Sequence, residues 1–138
     1  MAVIDADGHV MGRLSSKVAE RILKGEEIII VNAERAIITG KREMVFAEYK
    51  QKKDRGKIMR GPFYPRRADL ILKKSVKGMI PFKTPSGREA YKRLKVYVGI
   101  PKEYSSAKLE KVEVAIRPRT DKYVRLGDVS GYLGSKVR

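Results

Sequence analysis

Residues 1–31, MAVIDADGHVMGRLSSKVAERILKGEEIIIV, hold the pattern from which the fold is read. AVID (2–5) has the length and apolar content of a short strand, and DADGHV (5–10) supplies the small and acidic residues of a turn. From Met11 the apolar residues Met11, Leu14, Val18 and Ile22 recur at helical spacing, and Ala19 and Leu23 widen the stripe. Gly25 stands where such a helix would end. EIIIV (27–31) is a continuous apolar run, as expected of a strand covered on both faces. Strand, helix and strand within about thirty residues predict a βαβ unit with parallel strands.

Working outward, AIIT (36–39) is a second short apolar segment before Gly40, and KREMVFAEYKQKKDR (41–55) predicts a charged helix stopped by Gly56. GKIMRGPFYPRR (56–67) combines two glycines, two prolines and several cations, the composition of an extended loop. A further helix is predicted from Ala68 to about Ile80, with Ala68, Leu72, Val76 and Met79 on one face. Lys73, Lys74 and Lys77 fall opposite, and Leu70 lies on the lysine side against the scheme. PFKTP (81–85) breaks that helix, and Ser86 three residues before Glu89 has capping-box spacing for a short helix carrying Ala90 and Leu94. KVYVG (95–99) and KVEVAI (111–116) alternate as strands do. The tail, 117–138, offers a strand at Tyr123–Leu126 and at most one short helix.

The charge is lopsided. Residues 1–40 hold five Lys/Arg against six Asp/Glu, whereas residues 41–138 hold twenty-seven against ten. A charge serving solubility alone would be spread over the surface, so the asymmetry points to a partner of opposite sign. Nucleic acid is the polymer that calls for such cation density, because Lys and Arg replace counterions condensed on phosphates. The segment 41–74 carries twelve Lys/Arg and four acids, interleaved with Phe46, Tyr49, Phe63 and Tyr64. Aromatics beside guanidinium groups suit unpaired bases and irregular backbone.

Other classes fit poorly. At 138 residues the chain is expected to form a single domain, burying about 70% of its unfolded surface. It has no cysteine, so disulfides and thiolate metal sites are excluded. No stretch approaches the roughly 18 apolar residues of a membrane span, and the first residues lack the pattern of a secretory signal. A soluble cytosolic protein is expected. His9 is the only histidine, which removes triads and multi-histidine metal sites. Its bland reading is a turn residue beside Gly8. Asp5 and Asp7 are explained by turn formation more simply than as an acid–base pair. Gly8 and Gly12 stand between strand and helix, where amides can cradle phosphate, but the dinucleotide and P-loop patterns are incomplete. No cofactor and no small-molecule substrate are expected.

VKGMIPFKTPSGREAYKRLKVYVGIP (76–101) resembles the signature of the large-subunit ribosomal protein L-thirteen family. The Gly78-Met79-Ile80-Pro81 turn, the Ser86-Gly87 pair and the Leu94–Gly99 strand carry that likeness. So do Asp5, Gly8, Gly12-Arg13-Leu14, Val31-Asn32-Ala33-Glu34 and Thr39-Gly40-Lys41. GPFYPRRAD and the compact length look like the archaeal and eukaryotic branch. The resemblance implies a three-layer α/β/α fold with a small, mainly parallel four-stranded sheet and basic loop and helical extensions. It also implies a non-enzymatic structural constituent of the large ribosomal subunit, bound to large-subunit rRNA and to neighbouring ribosomal proteins, and joining the particle early in assembly. Residues 1–40 would then be the near-neutral core, 41–101 the basic RNA-binding part and 102–138 a C-terminal extension.

The candidates for phosphate contact are Lys41, Arg42, Lys52, Lys53, Arg55, Lys57, Arg60, Arg66 and Arg67, followed by Lys73, Lys74 and Lys77 from the polar helix face. Arg13, Lys83 and Arg88 are added from motif positions. Gly78, Met79 and Pro81 are expected to shape backbone and core. Two rival functions stand beside this one: a regulatory RNA-binding protein acting outside the ribosome, as eukaryotic relatives do, and a small nucleotide-binding α/β enzyme using Gly8–Gly12.

Overall fold

The opening unit folds as its pattern predicts. In the computed structural model, which describes residues 1–116 and 121–136, β1 is Ala2–Asp5, α1 is Met11–Leu23 and β2 is Ile28–Val31. β1 and β2 pair in parallel, Ala2 opposite Ile28 and Asp5 opposite Val31. α1 turns Leu14, Ser15, Val18, Ala19 and Ile22 inward, and its outer side carries Lys17, Glu20 and Lys24. Leu23, at the margin of the stripe, stays exposed.

Next come β3 (Ile37–Thr39), α2 (Arg42–Asp54), α3 (Ala68–Lys77), α4 (Pro85–Lys92) and β4 (Leu94–Val96). β5 (Leu109–Glu110), the single turn α5 (Glu113–Ile116), β6 (Tyr123–Arg125) and α6 (Leu126–Tyr132) complete the described residues. The main sheet has the order β4-β2-β1-β5 and every pair is parallel. β3 and β6 form a separate antiparallel pair, Ile38 opposite Val124.

All four residues of β2 are buried, as its unbroken apolar run requires. Because successive side chains alternate faces, Ile28 and Ile30 join Ile4, Leu14, Leu72 and Val76 in the larger core, while Ile29 and Val31 face the other way with Val3. Each such fully buried aliphatic side chain contributes about 1.5–3 kcal/mol. The larger core runs from Ile4 to Leu133 and takes in α1, α3 and α6. The second face is covered more thinly, by Tyr97, Tyr104, Ala107 and Leu109 around a 3-10 turn at Lys102–Tyr104. The α/β class and the parallel four-stranded sheet follow the expectation.

Several boundaries move. α3 stops at Lys77, where Gly78 accepts the C-terminal position, so Met79 lies beyond the helix and is exposed while Ile80 takes the buried place. Leu70 is exposed, in line with its misfit to the apolar face. The cap of α4 is Thr84, not Ser86: its hydroxyl accepts from the Gly87 amide at 3.2 Å and donates to the Pro81 carbonyl at 2.8 Å. Pro85 then fills the first helical position, where a missing N–H costs nothing. KVEVAI is not a strand. Val112 and Ala115, three apart, face the core as one helical turn, and the edge strand is the two residues before it.

Candidate nucleic-acid interface

α2 has little apolar periodicity, and Val45 and Tyr49 alone are buried along it. Its cations therefore project from a helix held down at few points. Lys52 Nζ lies 4.7 Å from the Tyr49 ring centroid and 5.8 Å from that of Tyr64, and Lys74 Nζ from α3 lies 4.8 Å from the same Tyr64 ring. Two ammonium groups from different helices thus share one aromatic support. Beside them Lys73 rests 4.9 Å from Tyr91 and Lys77 4.2 Å from Phe82, with Phe82 and Tyr91 packed edge to face. Attraction to the ring faces restrains each ammonium while leaving N–H donors available to an anion.

This geometry changes the role of the aromatics. Tyr49 is buried, Tyr64 and Phe46 are half-buried, and Phe63 alone of the four is open to solvent. Burial pushes the Tyr49 phenol well above its ordinary pKa and raises that of Tyr64 in the same direction. Tyr49 and Tyr64 pack at 6.0 Å, and Phe46 stacks on Tyr132 at 4.5 Å with Arg42 4.7 Å from its centroid. Expected as platforms for bases, three of the four are props for cations.

The basic loop is more structured than an extended segment. Arg60 and Gly61 amides both donate to the Lys57 carbonyl, at 3.2 and 3.1 Å, closing a hairpin that carries Lys57 and Arg60. At its far end the Ser130 hydroxyl of α6 donates to the Arg66 carbonyl at 2.6 Å. Arg55, Lys57, Arg60, Arg66 and Arg67 are all exposed. Arg67 pairs with Asp69 at 3.1 Å, Lys52 with Glu48 at 3.3 Å and Arg42 loosely with Asp128 at 3.9 Å. Other ion pairs lie elsewhere, around Arg21 with Glu26 and Glu110, Glu20 with Lys17 and Lys24, Asp7 with Arg35 and Arg125, and Arg35 with Glu34. Carboxylates neutralise the scaffold and leave most of the basic segment unneutralised.

Not every candidate joins this surface. Arg13, in the first turn of α1, lines a cleft with Glu113, Val114 and Ile116 of α5. Arg88 donates from Nε to the Phe82 carbonyl at 3.2 Å and reaches the Lys83 carbonyl at 3.5 Å, which ties it to its own turn. Lys53 and Lys83 sit on α2 and on the α3–α4 connection. Lys41 begins a second basic group that sequence reading missed. The β3–β6 pairing and the Gly40 amide bond to the Lys122 carbonyl, 2.9 Å, bring Lys122 beside Lys41 and Arg42. Arg35, Arg42 and Arg125 line one cleft with Phe46, Tyr132 and the carboxylates Glu34 and Asp128. A strand was expected at Tyr123–Leu126, but no local pattern signals its partner at Ile37–Thr39.

Four amides of the strand-to-helix turn already have acceptors within the protein. The Asp7 amide donates to Asp5 Oδ1, Gly8 to the Arg35 carbonyl, His9 to Ala6 and Val10 to Ala115. Asp5 also accepts from Asn32 at 2.9 Å, and Asn32 is held in the left-handed region at φ 56°. His9 is fully buried, and its Nε2 accepts from the Val112 amide at 2.9 Å, so Nδ1 carries the proton and donates to the Asp7 carbonyl at 3.1 Å. Burial lowers its pKa below the ordinary value of 6.5. No group of three or more His, Cys, Asp or Glu side chains among the described residues could hold a metal ion.

Fold and surface together define a small basic α/β scaffold whose charge is collected on aromatic supports. The sequence model of the family described as Ribosomal protein L13 matches residues 1–103, and the chain belongs to that family of structural, non-enzymatic proteins. It is 53% identical over 135 residues to the large ribosomal subunit protein uL13 of Archaeoglobus fulgidus, covering 96% of this chain and 86% of that protein. It is 53% identical over 138 residues to the protein of the same name from Methanococcoides burtonii, covering 99% of each. The corresponding Methanocaldococcus jannaschii protein is 43% identical, again over 99% of both chains.

Proposed function

We propose that this protein is a structural constituent of the cytoplasmic large ribosomal subunit that binds large-subunit rRNA through the cations of residues 41–77, assists early assembly and contacts neighbouring ribosomal proteins. The carrying observation is the paired use of Tyr64 by Lys52 and Lys74, flanked by the exposed cations of the 56–67 loop. These groups have few carboxylate partners and are already held in place, so an RNA backbone gains counterion release without much ordering of the side chains. The near-neutral βαβ unit is the anchor, and the loop pins adjoining RNA segments. Each Arg forks across phosphate oxygens and Lys adds a point charge.

The names of the archaeal relatives support the subunit assignment. Filter binding to purified large-subunit rRNA over a KCl series is the test. With about eight phosphates neutralised, the log–log slope is near −6 to −7. Co-sedimentation with large subunits through a moderate salt wash is the companion result. A shallow slope, or a chain found free of ribosomes on a sucrose gradient, overturns the assignment.

A further inference from the structure

Ile58 and Met59 are 95% and 92% exposed, the most solvent-open of the large apolar side chains among the described residues, and they sit side by side at the tip of the 57–61 hairpin. Phe63, 72% exposed, continues the apolar edge. Nothing in the packing of the chain requires them. The tip is nonetheless a closed turn: the Lys57 carbonyl accepts from two amides, and Gly56 approaches so closely that a Cβ there would lie 2.1 Å from the Gly61 carbonyl oxygen. A closed turn that presents two bare aliphatic side chains is the form of a wedge.

The flanks say what the wedge enters. Residues 55–67 contain five cations and no carboxylate, and Lys57 and Arg60, on either side of the tip, form no ion pair among the described residues. A protein groove would offer one apolar surface, whereas this pattern asks for apolar faces bordered on both sides by anions. Unstacked bases between phosphates have that form, and aliphatic side chains inserted between base steps are an established way to occupy it. We propose that the hairpin seats Ile58 and Met59 against unstacked bases of large-subunit rRNA, with Lys57 and Arg60 on the flanking phosphates. The inference rests on the rRNA-binding reading above and names the contact that the loop makes.

The experiment compares the full chain with its Ile58→Ser/Met59→Ser variant for binding to purified large-subunit rRNA over a KCl series. Apolar contact releases no counterions, so the variant binds about tenfold more weakly at every salt concentration with an unchanged log–log slope. Its thermal midpoint stays at the wild-type value, because both side chains are already in solvent. Equal affinity of variant and wild type, with the wild-type slope still steep, overturns the wedge and leaves rRNA binding standing. No binding by the wild-type chain overturns both. A diazirine amino acid incorporated at position 59 and activated in assembled subunits gives crosslinks to nucleotides. Crosslinks to a neighbouring protein instead, or none to RNA, overturn the choice of partner.

Discussion

His9 was legible as a turn residue and not as a tie between two distant segments. Nothing local marks that its Nε2 receives the amide of Val112, more than a hundred positions on. The tie has a pH signature. Burial depresses the folded-state pKa below 6.5, so the unfolded chain binds the extra proton first. Stability is therefore full above about 6.5 and falls as pH drops through the window down to the folded-state value, by at most about 1.4 kcal/mol per pH unit. Urea midpoints between pH 7.5 and 5.5 check this, and His9→Gln abolishes the slope in that window. Gly87 shows the same dependence on distant geometry. A Cβ at that position would stand 2.0 Å from the Pro81 carbonyl oxygen, so Gly87→Ala must push the α4 start away from the preceding turn. A loss of about 2–4 kcal/mol in urea unfolding is expected; a variant as stable as wild type contradicts the close approach. The family-signature residues behave alike: Glu34 accepts from the Gly99 amide at 2.9 Å, and the Gly99 carbonyl accepts from Asn32. Both bonds hold the scaffold.

Among the elements, those with one strong period were readable and those set by tertiary partners were not. α1 has an unbroken stripe and β2 an unbroken apolar run, and both lie within a residue of expectation. At 111–116 alternation and helical spacing coincide over so few residues that periodicity cannot choose between them. The contacts decide it: the Val10 amide bonds to the Ala115 carbonyl and Val112 reaches His9, which one helical turn allows. The 56–67 loop was rightly read as irregular, but its hairpin depends on Gly56 meeting Gly61 and its anchor on Ser130. Ser130 is fully buried, so Ser130→Ala removes the donor to the Arg66 carbonyl and costs about 1 kcal/mol. Amide exchange in residues 62–67 of the free protein rises with it, while exchange in β1 and β2 stays at the wild-type rate. Unaltered exchange in the loop would show that α6 does not hold it.

Across the whole molecule, charge is sorted. On the βαβ unit the cations are largely matched by acids, and Arg21 bridges Glu26 and Glu110 and so ties the two-residue edge strand β5 to α1. Many of the unmatched cations lie on α2, the loop and α3, so the imbalance was visible in the sequence while its spatial grouping was not. Lys52 and Lys74 are far apart in the chain and both approach the Tyr64 ring. Replacing both, as Lys52→Gln/Lys74→Gln, removes two counterion-releasing groups and flattens the log–log salt slope for rRNA by about 1.4–1.8. The lost cation–π contacts cost about 1–2 kcal/mol in total, so the variant remains folded and its binding is measurable. Lys17→Gln/Lys24→Gln is the matched control, with the same charge change on α1, where both lysines already pair with Glu20. That control keeps the wild-type slope. If the two double variants flatten it equally, binding follows net charge alone, and the aromatic-supported cluster has no place in the interface.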